Sequence, residues 1–232
     1  MALKRSSALI VVLLVLTAVL PPVLAQRAEY AFIEFAPGKM AAVRQAARAA
    51  GAEVRYEFAD LNVLAVTMPA KALDKMRANP NVVSVELDPE RYPAADFSAA
   101  DVAAEQVVPW GIEAVQAPQV WAKGYLGEGV TVCVIDTGLY TAHEDLAGLP
   151  SVNGMSQVDD DWTYDGAGHG THVVGTITAV DNELGVIGVS PGKVNIFMVK
   201  IFGNDGLWVS KAHASDLIAA ARTCADNGAQ II

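Results

Sequence analysis

The stretch GVTVCVIDTG, residues 129–138, constrains the fold of this 232-residue chain more than any other. Residues 130–135 are apolar or β-branched at every position, and the run stops at Asp136-Thr137-Gly138. A strand with one solvated face alternates polar and apolar residues. One without alternation is covered on both faces, as strands of a parallel sheet are. Parallel strands need crossovers of helical length between them, and the chain supplies them. HGTHVVGTITAV (169–180) reads as a helix and VNIFMVKIF (194–202) as a second buried strand. SKAHASDLIAAARTCADNG (210–228) reads as a helix started by Ser210 and stopped by Gly228. AQII (229–232) opens a further apolar strand. This alternation predicts an open α/β sheet. A hydrophobic content of 53% against 18% charged residues supports packed cores and excludes a wholly disordered chain.

Residues 29–88 follow a different plan. YAFIEFA (30–36) predicts a strand, and GKMAAVRQAARAAG (38–51) a helix closed by Gly51. AEVRYEFAD and LNVLAVTM predict two strands joined near 60–62. PAKALDKMRANP starts at Pro69 and stops before Pro80, as a short helix does, and NVVSVELD predicts a fourth strand. The order βαββαβ is that of a ferredoxin-like split βαβ unit. Residues 89–106 lack apolar periodicity and carry two prolines, which predicts a linker or cleavage region before a second unit spanning 107–232.

The first 25 residues read as a signal peptide. Lys4 and Arg5 precede the uncharged run ALIVVLLVLTAVL (8–20), and Val23 and Ala25 stand where a signal peptidase reads small residues. The run is short of the roughly 20 residues a membrane span needs, so export without a stable membrane anchor is expected, with a mature start near Gln26. The net charge of −10 argues against a nucleic-acid partner, because phosphate binding needs clustered Lys and Arg. Export permits disulfides, yet there are two cysteines only. Cys133 lies in an apolar strand and Cys224 in a helix, and the expectation is two buried free thiols; a bridge stays open because sequence does not carry its geometry.

Asp136 ends a parallel strand, where α/β sheets gather ligand and catalytic groups. His169 stands where a loop enters a helix, and the N–H dipoles there disfavour an imidazolium. A neutral imidazole able to accept a proton is what a general base requires, and a carboxylate on its other nitrogen would fix the tautomer. His172 falls three residues into the helix and is expected to be structural. A zinc pair from His169 and His172 lacks the commoner i, i+4 spacing. A single Asp-Thr-Gly does not make the paired aspartates of an aspartic peptidase, and no G-x-x-x-x-G-K-[ST] phosphate loop is present. His143 and His213 have no such context and are expected at the surface or in loops.

VTVCVIDTG followed by GHGTHVVGT resembles the subtilisin-like serine peptidases, in motif and in Asp-then-His order. The resemblance implies a three-layer parallel-sheet catalytic domain in 107–232 and an inhibitory ferredoxin-like propeptide in 29–88. It assigns Asp136 as orienting acid and His169 as base, and makes the protein a secreted endopeptidase precursor acting on polypeptides. It also implies structural calcium. Asp145, in HEDL, matches a ligand, and AVDNELGVIGV (179–189) resembles the calcium loop. There Asn182 offers a side-chain oxygen and Val180, Leu184 and Val186 backbone carbonyls; Gln106 completes the set. KIFGNDGLW (200–208) resembles the segment that adds an extended substrate as a strand, at Gly206, Leu207 and Trp208, and Asp165 matches a residue lining the cleft. The family's serine and its oxyanion-hole asparagine have no counterpart up to residue 232. The expectation is therefore an N-terminal fragment of a longer precursor. The alternative is a non-catalytic inhibitor or folding module with an inactive second half.

Overall fold

The computed structural model describes residues 27–92, 105–203 and 211–232. The signal-like segment 1–25, most of 89–106, and the expected substrate residues Gly206, Leu207 and Trp208 lie outside them. Among the described residues, no helix is long and apolar enough to cross a membrane.

The N-terminal unit has the order expected for 29–88. Strand β1 (Ala28–Phe35) leads to helix α1 (Met40–Ala49), strands β2 (Glu53–Phe58) and β3 (Val63–Pro69), helix α2 (Ala70–Arg77) and strand β4 (Val82–Leu87). The strands form an antiparallel sheet in the order β2-β3-β1-β4. One face is apolar because Ala31, Ile33 and Phe35 alternate inward along β1, with Leu64, Val66 and Met68 beside them on β3. Val43 and Ala47 of α1 and Leu73 and Met76 of α2 cover that face. Short strand β5 (Glu90–Arg91) follows, inside the stretch expected to be a linker.

The second unit opens with two short helices, α3 (Trp110–Ala114) and α4 (Ala117–Trp121). Strands β6 (Thr131–Asp136), β7 (Val152–Ser156) and β8 (Asn195–Lys200) then form a parallel sheet in the order β6-β8-β7. Helix α5 (His169–Thr178) lies between β7 and β8 in sequence; β9 (Ala212–His213) and helix α6 (Ala214–Asp226) follow. Beyond β6, Ile231 makes an isolated parallel bridge to Val132, at the position where AQII is expected to open a further strand. Both faces of the sheet are covered, as the unbroken apolar runs predicted. Ile196 and Met198 pack with Val132, Val134 and Val174 on the α5 side. Phe197 and Val199 pack with Cys133, Ala220 and Cys224 on the α6 side.

Three expectations are overturned by the structure. Cys133 and Cys224 form a disulfide with Cα atoms 5.7 Å apart, because β6 and α6 meet face to face at these positions. His213 is not a surface residue. It caps α6 and is buried because its ring stacks on Tyr30 of the N-terminal sheet, with ring centroids 3.7 Å apart. That contact belongs to a broad seam. β5 pairs with β9, and Asp88 and the Pro89 carbonyl accept the Ser215 and Ala214 N–H groups at the start of α6. α6 also starts at Ala214 rather than at Ser210. His143 is half-buried, and its Nδ1 accepts the Asp145 N–H at 3.2 Å.

Candidate active site and candidate calcium site

Asp136 closes β6 and His169 opens α5, and their side chains meet. His169 Nδ1 lies 2.7 Å from Asp136 Oδ1, with both residues buried. An ionised carboxylate only accepts, so this contact places the proton of the neutral ring on Nδ1 and leaves the lone pair on Nε2. The Thr137 N–H donates to the same Asp136 oxygen at 2.7 Å and holds the carboxylate at the strand end.

The local sequence explains why His169 comes so close. Gly168 takes φ +77, a left-handed conformation that turns the loop into the helix. Gly170 lets α5 lean on the β6 turn: a Cβ there would collide with the Gly138 carbonyl oxygen. Thr137 Oγ1 accepts the Gly170 N–H at 2.9 Å. Asp165 serves the first turn. Its Oδ1 accepts from Gly168 N–H and Thr137 Oγ1, and its Oδ2 from Thr171 N–H and Oγ1, all within 2.9 Å. Asp165 borders an apolar cavity of about 880 Å³ between α3 and the outer face of α5, whose walls include Trp110, Tyr140, His172 and Val189. Its carboxylate is nonetheless committed to the helix start. Thr137, Gly170 and this capping role of Asp165 do not stand out in the sequence, although a carboxylate a few residues ahead of a helix is a recognisable signal.

The expected calcium ligands also come together. The Gln106 side-chain nitrogen donates to Val180 O at 2.9 Å, with Leu184 O at 3.3 Å, Asn182 Oδ1 at 3.4 Å and Val186 O at 3.5 Å around it. Asp145 is buried beside this loop. Its Oδ2 accepts the Val186 N–H at 3.1 Å, while its Oδ1 is buried with no hydrogen-bond partner. Four oxygens converging on one nitrogen, plus an orphaned carboxylate oxygen, are a hard-donor set. Turning the Gln106 amide over would bring in a fifth neutral oxygen. Such crowding of oxygens is unfavourable without a cation and favourable with one, so these residues fit calcium. Among the described residues no three His, Cys, Asp or Glu side chains cluster for a metal, and this oxygen set contains one carboxylate only.

Comparison with known proteins bears on this site. The subtilase family matches residues 127–232. The M-protease of Shouchella clausii (strain KSM-K16) is 39% identical over 157 residues, covering 66% of this chain and 37% of that protein. The alkaline elastase YaB of Bacillus sp. (strain YaB) is 35% identical over 182 residues, covering 77% of this chain and 42% of that protein. The chain thus spans about two-fifths of the length of these curated relatives. The crystal structure of fervidolysin from Fervidobacterium pennivorans, a keratinolytic enzyme related to subtilisin, superposes with a TM-score of 0.66. The match covers 88% of this chain and 35% of that one at 22% identity, a likeness of fold.

Proposed function

We propose that this chain, whose residues 127–232 match the subtilase family, is the N-terminal part of an exported serine endopeptidase precursor. The observation that carries this reading is the 2.7 Å contact between His169 Nδ1 and Asp136 Oδ1 at the end of a parallel strand. In this reading His169 takes the proton of a serine hydroxyl through Nε2 as the serine attacks the scissile carbonyl. It then returns the proton to the leaving amine, and water resolves the acyl-enzyme by the same steps in reverse. Asp136 keeps the ring oriented and offsets the charge of the transient imidazolium. In this reading the serine would come from the part that corresponds to the stretch of the relatives not spanned by this chain. Ser84, Ser156 and Ser215 are committed to Glu34, Asp159 and Arg55.

Residues 29–88 act as the propeptide in this reading, held against α6 by the seam described above, and they block the enzyme until removed. Export is supported by the signal-like first 25 residues and by the buried Cys133–Cys224 disulfide, a bond that persists in oxidising compartments. Gln106, Asp145, Val180, Asn182, Leu184 and Val186 would hold a structural calcium ion, which supplies charge to an otherwise repulsive group of oxygens. Asp165 supports the site from the start of α5. Gly206, Leu207 and Trp208 remain the residues proposed to pair with an extended polypeptide.

The test is to express the gene beyond the codon for residue 232, allow secretion and maturation, and treat the product with a fluorophosphonate probe. Labelling that disappears in His169→Ala is the expected result. A matured, folded product that takes no label would point instead to a non-catalytic inhibitor or folding module.

A further inference from the structure

Among the described residues, Lys200 is the one fully buried cation, and none of the roles above uses it. It ends β8, where its backbone pairs in register with Asp136 of β6. Side-chain alternation puts both residues on the α5 side of the sheet, with Ile196 and Met198 preceding Lys200 on that face. The ammonium group has three donors, and three acceptors meet it. They are the Asp161 carbonyl at 3.0 Å, the Tyr164 carbonyl at 3.0 Å and Asp159 Oδ2 at 2.8 Å. All three belong to the one loop that runs from β7 to α5. Trp162 anchors the same loop by packing into the core and by accepting the Leu139 N–H through its carbonyl.

The loop leads directly to Asp165, the residue after Tyr164, whose carboxylate fixes Gly168, Thr171 and Thr137 around the start of α5. We propose that Lys200 is a positioning residue for the Asp136–His169 pair. It pins the Tyr164 carbonyl, and Asp165 then holds the helix turn that carries His169. The inference rests on the reading of His169 as the base. A buried ammonium is a costly way to fasten a loop unless its acceptors are placed with care. Here the cation is surrounded on the same face as the acid of the pair and is spent on the segment that delivers the histidine.

The test uses the full-length protein and three variants: Lys200→Met, Asp159→Asn, and the two combined. The combination removes the ammonium without leaving the Asp159 carboxylate facing an emptied, apolar pocket, so it separates loss of positioning from loss of folding. Amide exchange is measured at Gly168, Gly170 and Thr171, and kcat and KM on an unstructured peptide substrate. In the double variant, at a melting temperature close to wild type, exchange at Gly168 and Thr171 is expected to speed up at least tenfold. In the same protein kcat falls about tenfold with KM little changed, the pattern of a misplaced catalytic group. Unchanged exchange at these amides, or a kcat per folded molecule equal to wild type, overturns the proposal. If the wild type proves not to be a peptidase, the exchange measurement alone decides whether Lys200 holds the helix start, and the endopeptidase reading falls separately.

Discussion

Arg55 Nη2 lies 2.6 Å from Asp216 Oδ1, across the seam between the N-terminal sheet and α6. The same guanidinium donates to Ser215 Oγ at 2.9 Å, sits 3.8 Å from Asp88 Oδ2, and lies over the rings of Tyr30 and Tyr56. Tyr56 Oη adds a hydrogen bond to the same Asp216 oxygen at 2.8 Å. Arg55→Met removes the cation shared by two buried carboxylates, Asp88 and Asp216. A loss of about 2–4 kcal/mol is expected in urea unfolding at neutral pH, with Arg55→Lys recovering part of it. A change under about 0.5 kcal/mol would show that the seam is held by its backbone pairing instead.

The seam should also respond to pH. Burial pushes the His213 imidazole below its ordinary 6.5, and Arg55 adds to the effect, against the pull of Asp88, Asp216 and Glu90. A depressed pKa means that the opened state takes up the proton first as pH falls. The contribution of His213 is complete above about 6.5 and is lost as pH drops through its lower folded value. His213→Asn keeps a capping side chain but cannot titrate. The melting temperature of wild type is expected to fall more steeply below pH 6.5 than that of the variant. Parallel curves would assign the acid sensitivity to the carboxylates. At the alkaline end, burial and the Asp216 hydrogen bond raise the Tyr56 phenol to about 12. Its contribution is present below pH 10 and lost as pH rises through about 12, a loss absent in Tyr56→Phe.

The Cys133–Cys224 disulfide joins residues 91 positions apart and ties β6, three residues before Asp136, to the helix that meets the N-terminal sheet. Chain-entropy reasoning puts its stabilisation at about 4–5 kcal/mol. Urea unfolding of the oxidised protein against the Cys133→Ala, Cys224→Ala double variant measures it directly. A difference under about 1 kcal/mol would mean that packing of α6 on the sheet already suffices.

These features differ in how far the sequence discloses them. Strands β6 and β8 are legible because burial on both faces leaves unbroken apolar runs, and the N-terminal βαββαβ order because its helices and strands have local stops and starts. The Asp136 and His169 pair is legible because motif and element end coincide. The disulfide is not, because the facing of Cys133 and Cys224 depends on how α6 lies on the sheet. His213 looks like a surface residue because the group that buries it, Tyr30, is far away in the chain and on another sheet. Lys200 leaves a trace, a lysine directly after the apolar run Ile196–Val199, but its three acceptors lie in a loop without periodicity.

Calcium removal tests the oxygen cage. Adding a chelator is expected to lower the melting temperature. At a calcium concentration about 100-fold above Kd, the loss corresponds to roughly 2.7 kcal/mol. Asp145→Asn, which removes the one carboxylate of the set, should abolish most of the difference between calcium and chelator. Equal melting temperatures in both conditions for wild type would remove calcium from the account of this loop.

Gly170→Ala probes the approach of α5 to β6. The new Cβ would collide with the Gly138 carbonyl oxygen and stand 3.1 Å from Asp136 Cβ, and neither backbone can yield without moving the other element. Helix α5 must shift outward, and the His169 ring moves away from Asp136 with it. Overpacking of this kind costs about 1–3 kcal/mol of stability. A displacement of about 1 Å at a catalytic pair costs on the order of 100-fold in rate, so kcat of the full-length protein should fall by that order. Gly175→Ala is the matched control, since a Cβ there would meet nothing within 4 Å and alanine favours a helix. It should leave kcat unchanged and raise stability by up to about 1 kcal/mol. Equal behaviour of the two alanine variants would show that the close contact at Gly170 does not govern how His169 is held.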